Sequence, residues 1–364
     1  MKFDLILDDL LSIPKALLNC LNYYLSEEGK KKLDAIRRDI QEPKIRRIIF
    51  IGHAYNYFAS MIPLRYLNSH YYSRMEENQD STEKSCIIYE IDEFNSYFNP
   101  LHNLDDTIFI FITSSGNSNQ IREGFRKLLD AKINSHHIWG ISDYEESYLG
   151  VKSHHFLPLK YGTEKILGTK SYVNAILLLY FIGRSIMNKE AIPSNRQEEI
   201  RQLIFEIKFY NQDWESHTQN LINFLGENLD NLFFISKGPS LSSAYQASLN
   251  FKAITQTFCV ALSIGLFLNG PIRVVDPSFR CVLIIGDDIN MKETTRLVEN
   301  VTNERSGKII LLNNSRKISS IGRSNKNIFV FEHTTENINI APIFEIIVLQ
   351  YLILHIAKVR GLMI

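Results

Sequence analysis

Residues 107–131 read TIFIFITSSGNSNQIREGFRKLLDA, and the fold is decided here. From Thr107 the chain is an uninterrupted run of β-branched and aromatic side chains, the composition of a strand covered on both faces. At Thr113-Ser114-Ser115-Gly116-Asn117-Ser118 that run gives way to small polar residues, and a stretch of helical period follows. A strand that turns directly into a helix in this way is an anion site. Gly116 lets the backbone approach a ligand, the first helical N–H groups point at it, and four hydroxyls add donors for phosphate oxygens. An N-cap for the helix at Asn119 would need one of those hydroxyls. Four in six positions, at the carboxyl end of a central strand, exceed that need and lie where open α/β sheets bind ligands.

Outward from this stretch the same grammar recurs: Ile, Val and Phe runs, each followed by a Gly, Ser or Asn turn and a helical segment. The first half predicts strands at Arg47 to Ile51, Ser85 to Ile91, Thr107 to Thr113, His137 to Ile141 and His155 to Leu159. Helices are expected around Tyr57 to Asn68, Asn119 to Ala131 and Thr169 to Asn188, and Lys189 to Arg196, with Pro193, reads as a linker. A helix from Gln197 to Leu225 then leads to strands at Asn231 to Ile235, Phe258 to Leu262, Arg280 to Ile285, Lys308 to Leu312 and Ile328 to Phe331. The fold class is α/β: two doubly wound, five-stranded parallel sheets flanked by helices, with domains at 1–190 and 197–364. RRIIFIGHAYNYFAS in one half and NLFFISKGPSLSSAYQAS in the other share a strand, a Gly turn and a helix, which suggests an internal duplication. Ile340 to Arg360 is a helix apolar on most of its circumference, expected to be buried between the domains or in a homodimer interface.

Bulk properties exclude several function classes. Among 364 residues Lys plus Arg and Asp plus Glu both number 40, so no domain-wide basic field exists for nucleic acid or anionic lipid. The opening MKFDLILDDLLSIPKALLNCL carries acids within its apolar run, unlike a signal peptide, and Ile176 to Ile182 is shorter than the roughly 20 residues of a membrane crossing. No membrane association is expected. The four cysteines, Cys20, Cys86, Cys259 and Cys281, form no C-x-x-C pair and suit a reducing cytoplasm. The pairs His136-His137 and His154-His155 are adjacent residues that a strand would point to opposite faces, so they read as strand-end surface residues, with no metal or cofactor expected.

The loop at 113–118 resembles the S-Q-S-G-E-T phosphate loop of the double-domain sugar isomerase (SIS) family, as in the isomerase half of glucosamine-6-phosphate synthase. Thr113, Ser114, Ser115 and Ser118 fall on the phosphate-contacting positions, Gly116 is unchanged, and Asn117 replaces the family Glu. Further short motifs follow in order. Ile6 to Leu21 is similar to the family opening, and Gly52 to Asn56, with Tyr55, to its G-T-S-Y-N turn. Gly168-Thr169-Lys170 is similar to its S-T-K, Leu249 to Ile254 to A-L-K-L-K-E-I, Asn269-Gly270-Pro271 to H-G-P, and Pro342 to Gly361 to its last helix. The resemblance implies a hexose or hexosamine 6-phosphate ligand, bound by Gly52, Tyr55, the 113–118 loop, Thr169 and Lys170, in a cytoplasmic homodimer. It also implies a family Glu base, a His and a tail Lys. Here those positions hold Ala253, Asn269 and nothing, while Gln246, Asn250, Leu266 and Ala54 replace other polar family residues. No glutaminase domain is expected either, with Lys2 where its cysteine would stand. The expectation is a phosphosugar-binding protein without isomerase chemistry. The alternative is an aminosugar-phosphate isomerase, deaminase or deglycase with a relocated base, for which Glu164 and Glu293 are the candidates.

Overall fold

The computed structural model describes residues 3–67, 84–99, 104–165, 167–226, 229, 231–287, 289 and 291–362. Within them the first sheet comprises β1 (Arg47–Gly52), β2 (Ser85–Glu90), β3 (Thr107–Ile112), β4 (Ile138–Ser142) and β5 (Phe156–Pro158), in the order β2-β1-β3-β4-β5. The second comprises β6 (Asn231–Ser236), β7 (Phe258–Ser263), β8 (Arg280–Ile285), β9 (Lys308–Asn313) and β10 (Ile328–Glu332), in the order β10-β9-β8-β6-β7. Every pairing is parallel, with Arg47 opposite Thr107 in one sheet and Phe233 opposite Cys281 in the other. Taken from its other edge the second sheet has the topology of the first. Each therefore reverses its strand order beside its earliest strand, between β1 and β3 and between β6 and β8.

Burial explains why the strand sequences read as continuous apolar runs. Every residue of β3 is buried, as a central parallel strand with helices on both faces requires, whereas the edge strand β2 is only partly covered. Ile49, Ile51, Phe109 and Phe111 pack one face of the first sheet against Phe94, Ile121, Phe125 and Leu128 of two helices, Ile91–Tyr97 and Asn119–Asp130. Phe94 presents its edge to Phe111 at 6.0 Å and stacks on Phe98 at 4.6 Å. The second sheet repeats the arrangement with Phe233, Ile235, Cys281, Leu283, Leu297 and Val301.

The described residues pack as two compact units. One is drawn from 15–164 and 168–197 and holds the first sheet; the other is drawn from 3–14, Lys165, Leu167 and 198–362 and holds the second. The helix Phe3–Leu11 packs on the Ala341–Val359 helix, in the unit of the second sheet, which differs from a division at 190. Ser194 already begins a helix, Ser194–Gln212, so the segment read as linker is partly helical. The expected Gln197 to Leu225 helix breaks at Asp213, whose ψ of 23° is not helical, and resumes as Trp214–Leu225. Around the first turn the helical residues are Tyr55–Ala59 and 61–67, and Asn68 lies outside the described residues.

The last helix, Ala341–Val359, is buried from Ala341 to Ala357. Its neighbours are the helices Leu241–Thr255, Trp214–Leu225 and Phe3–Leu11 of its own unit. Its all-round apolar surface is thus consumed within one unit and requires no second subunit. Among the described residues it is the helix long and apolar enough to cross a membrane, yet 89% of that stretch is buried inside the protein.

The histidine pairs do not sit as expected. His136 and His137 lie in the 3-10 turn Ser135–His137 ahead of β4, and His154 and His155 lie in the bend ahead of β5. The alternation of faces holds only inside a strand, and β5 starts at Phe156. Both imidazoles of the second pair instead turn to the same carboxylate, Asp39.

Candidate functional site

The loop after β3 lies at the carboxyl ends of the first sheet, beside the point where the strand order reverses. His53 N–H, following β1, donates to the Ile112 carbonyl at 3.1 Å, so the turns after β1 and β3 are tied together. Thr113 is buried, with its N–H on the Ile141 carbonyl at 3.0 Å; Ser114 is half-buried and Ser115 exposed. Gly116 has φ of +69°, and an added Cβ would stand 2.2 Å from Ser147 Oγ and 2.8 Å from Ser142 Oγ. Both the left-handed backbone and the close approach demand glycine. Ser118 is the N-cap of the Asn119–Asp130 helix, accepting from Ile121 N–H at 3.3 Å, while Ser115 Oγ accepts from Asn117 N–H at 3.3 Å.

Asn117 of the loop and Arg122 of the helix it opens carry more than the sequence suggested. Asn117 Oδ1 accepts from Tyr148 N–H at 2.9 Å and from Arg122 Nη2 at 3.3 Å. Arg122 Nε also donates to the Asn117 carbonyl at 3.1 Å, and its guanidinium lies over the Tyr148 ring at 4.9 Å. A fixed cation therefore stands one turn into the helix that the loop opens. Its spacing of four residues from the cap was the available signal.

The turn after β1 is equally tight. A Cβ on Gly52 would meet the Tyr57 backbone at 2.4 Å, and Ala54 adopts φ of +52°. Tyr55 reaches the start of the Lys170–Ile186 helix, where its hydroxyl lies 3.0 Å from Ser171 Oγ, and burial pushes its phenol up to about 12. Gly168 admits the Tyr55 ring, since a Cβ there would stand 2.6 Å from ring carbons. Tyr161 Oη donates to the Ser114 carbonyl at 3.3 Å. The structure thus brings Tyr55, Ser114, Ser171 and Tyr161 together, with Thr169 at the helix start. Lys170 is buried and donates to the Thr163 carbonyl.

Glu164 binds this helix start. Its Oε1 accepts from Thr169 N–H at 2.6 Å, Thr169 Oγ1 at 2.8 Å and Ser171 N–H at 3.1 Å, and its Oε2 from Ser171 Oγ at 2.5 Å. Burial pushes its carboxyl up, against the pull of those four donors. The carboxylate satisfies N–H groups that a helix start leaves without partners. Glu293, the other candidate base, is exposed on the Met291–Glu299 helix.

At the corresponding place in the second sheet stands a carboxyl that the sequence reading missed. Glu345 is fully buried on the Ala341–Val359 helix and accepts from Ser240 Oγ at 2.6 Å and Ser243 Oγ at 2.9 Å. Burial raises it to about 7, the two hydroxyls pulling against that and the nearby Asp287 charge adding to it. Lys237, after β6, pairs with Asp287, after β8, at 3.1 Å. The signal was a lone acid in the run IFEIIVLQ, on a helix apolar all round. Ala253 is exposed, and Asn269 Nδ2 donates to the Gly265 carbonyl at 2.8 Å.

Comparison with known proteins accords with this geometry. No protein-family model matches the chain. A glutamine-fructose-6-phosphate aminotransferase (isomerizing) of Sulfurisphaera tokodaii is 24% identical over 294 residues, 79% of this chain and 43% of that protein. Its counterpart in Thermotoga maritima is 23% identical over 360 residues, 97% of this chain and 56% of that protein. The chain spans about half the length of the curated relatives it matches. Among solved structures, the C-terminal domain of glucosamine-fructose-6-phosphate aminotransferase from Francisella tularensis superposes with a TM-score of 0.76 at 20% identity, covering 98% of this chain and 96% of that one. Tagatose-6-phosphate ketose/aldose isomerase from Escherichia coli gives 0.69 at 14% identity, covering 97% and 92%. The chain is a homologue of the isomerase domain of glucosamine-fructose-6-phosphate aminotransferase, and its two α/β sheets have the sugar isomerase fold.

Proposed function

We propose that this protein binds a hexose or hexosamine 6-phosphate at the loop 113–118 and does not carry out aldose–ketose isomerisation. The observation that carries the reading is placement. Four hydroxyls and the first-turn amides of the Asn119–Asp130 helix stand at the carboxyl ends of β1 and β3, where the first sheet reverses its order. Thr113, Ser114, Ser115, Gly116 and Ser118 would hold the phosphate. Gly52, Tyr55, Thr169 and Lys170 would line the sugar. Moving a proton between C1 and C2 needs a carboxylate base and a second acid/base group. Ala253 has no proton acceptor, and the Asn269 amide cannot exchange protons near neutral pH as an imidazole can. The shared strand order of the two sheets supports an internal duplication into domains near 1–190 and 197–364. A cytoplasmic homodimer remains part of the proposal, on the strength of the resemblance alone. Calorimetric titration with glucosamine 6-phosphate and fructose 6-phosphate tests the reading. Replacing Ser115 and Ser118 by Ala removes two hydrogen bonds to a charged group, each worth about 1.5–3 kcal/mol, and affinity should fall at least about tenfold. Unchanged affinity in the double variant would exclude this loop as the phosphate site.

One observation favours the second reading, an active aminosugar-phosphate isomerase, deaminase or deglycase. Glu345, raised to about 7 at the strand-order reversal of the second sheet, has the poise of a general acid/base. Turnover abolished in Glu345→Gln but kept in Glu293→Gln would establish it.

A further inference from the structure

At the amino-terminal ends of β4 and β5, opposite the loop 113–118, the first unit gathers a carboxylate and three imidazoles. Asp39 comes from the helix Glu27–Gln41, His136 from the turn ahead of β4, and His154 and His155 from the bend ahead of β5. His155 Nε2 lies 2.6 Å from Asp39 Oδ2, and His154 Nε2 lies 4.0 Å from the same oxygen. One donor atom from each of Asp39, His154 and His155 falls within 4.8 Å of the other two.

We propose that Asp39, His154 and His155 form a binding site for a divalent first-row cation of the zinc type. Two imidazole nitrogens and one carboxylate oxygen are a donor set that suits zinc, with its preference for nitrogen and oxygen at about 2.0–2.2 Å. Donors at that distance around a tetrahedral ion stand about 3.3 Å apart. The Asp39–His154 separation of 4.0 Å must close slightly and the Asp39–His155 separation of 2.6 Å must open, both within reach of side-chain rotation. Water would complete the coordination.

The donors are held in place rather than gathered by chance on a loose loop. His154 N–H donates to the Ile138 carbonyl and Gly140 N–H to the His155 carbonyl, both at 2.9 Å, so the bend is stitched to β4. The His155 ring stands edge-on to Trp139 at 4.9 Å, and the His154 ring stacks on His136 at 4.2 Å with 12° between planes. Trp139 Nε1 donates to the His136 carbonyl at 2.9 Å, which fixes the indole beneath the cluster. The side chains of Asp39 and His154 remain about one-third accessible, leaving the site open to an ion from solvent. A plain Asp39–His155 ion pair accounts for one imidazole. It does not account for the second one turned to the same oxygen.

A cation there would join the helix Glu27–Gln41 to the edge of the first sheet, far from any step on the sugar. The site is therefore structural or regulatory, and independent of the sugar-phosphate reading. The test is calorimetric titration of the metal-free full chain with zinc chloride, paired with cobalt(II) substitution read by its visible ligand-field bands. One equivalent is expected, with affinity at least about tenfold lower in both His154→Ala and Asp39→Asn, a loss that even a supporting partner of a metal ligand produces. His136→Phe, which keeps the stack and offers no nitrogen, should bind as the parent does. His154→Gln serves as a second variant should the alanine form melt differently without metal. No binding in the parent, or binding equal to the parent in His154→Ala or Asp39→Asn, overturns the proposal.

Discussion

Glu345→Gln should make the second unit more stable at pH 8 and leave it nearly unchanged at pH 4. In the folded protein the carboxyl is fully buried and raised to about 7, from an ordinary value of 4.5. Because the folded value lies above the unfolded one, the native state holds the proton more tightly. Its stabilising contribution is complete below about pH 4.5 and is lost as pH rises through about 7. At about 1.4 kcal/mol per pH unit, the rise from 4.5 to about 7 corresponds to up to about 3 kcal/mol lost above neutrality. Glutamine is neutral throughout; its Oε1 accepts from one of the Ser240 and Ser243 hydroxyls and its Nε2 donates to the oxygen of the other, so the variant is spared this loss. The chain has two tryptophans, Trp139 in the first unit and Trp214 in the second. In a Trp139→Phe background, urea unfolding followed by Trp214 emission reports on the second unit alone. The difference between the parent and the Glu345→Gln variant should grow from near zero at pH 4 to about 2–3 kcal/mol at pH 8. A difference independent of pH, or one favouring the glutamate at pH 8, would refute the reasoning.

Gly116→Ala places a Cβ 2.2 Å from Ser147 Oγ at a positive φ; it should cost about 1–3 kcal/mol by urea unfolding and abolish glucosamine 6-phosphate binding by calorimetry. Glu164→Ala strips the partners from Thr169 and Ser171 and should destabilise the first unit by about 2 kcal/mol in the same experiment read from Trp139, with Glu164→Gln losing less. A coupled assay should find no interconversion of fructose 6-phosphate with glucose 6-phosphate or glucosamine 6-phosphate; turnover near 1 per second would sink the binding-protein reading.

The strands were legible because a parallel strand buried on both faces leaves no room for polar residues, so β3 and β8 announce themselves as apolar runs between turns. The loop at 113–118 was legible for the complementary reason: Gly116 and its hydroxyl neighbours interrupt such a run at one place. What escaped the sequence depends on distance across the fold. Asp39 precedes His154 by more than a hundred residues, and no local pattern says that a helix end and a strand-edge bend will meet. The histidine pair was misplaced because the alternation rule was applied a residue or two outside the strand. Glu345 escaped because its run was read by its apolar neighbours, and the hydroxyls that receive it are about a hundred residues earlier, in the turn after β6 and the helix it opens.

Glu164 and Glu345 show how the same chemical group takes different characters in two similar sheets, the one ahead of the helix that follows the fifth strand, the other inside the helix that follows the tenth. Each sits near a strand-order reversal and beside a helix, and burial raises each carboxyl. Glu164 meets four donors, two of them backbone N–H groups at a helix start, where the dipole also favours negative charge. Glu345 lies inside a helix rather than at its opening, meets two neutral hydroxyls, and has the Asp287 charge nearby. Fewer donors, no helix start and a like charge leave less to oppose burial, which raises this carboxyl to about 7. Glu164 is tied into the helix start at Thr169 and Ser171, and Glu345 is raised to about 7. A search for turnover in this chain should therefore set Glu345→Gln beside Glu164→Gln and Glu293→Gln, since burial raises the carboxyls of both Glu164 and Glu345.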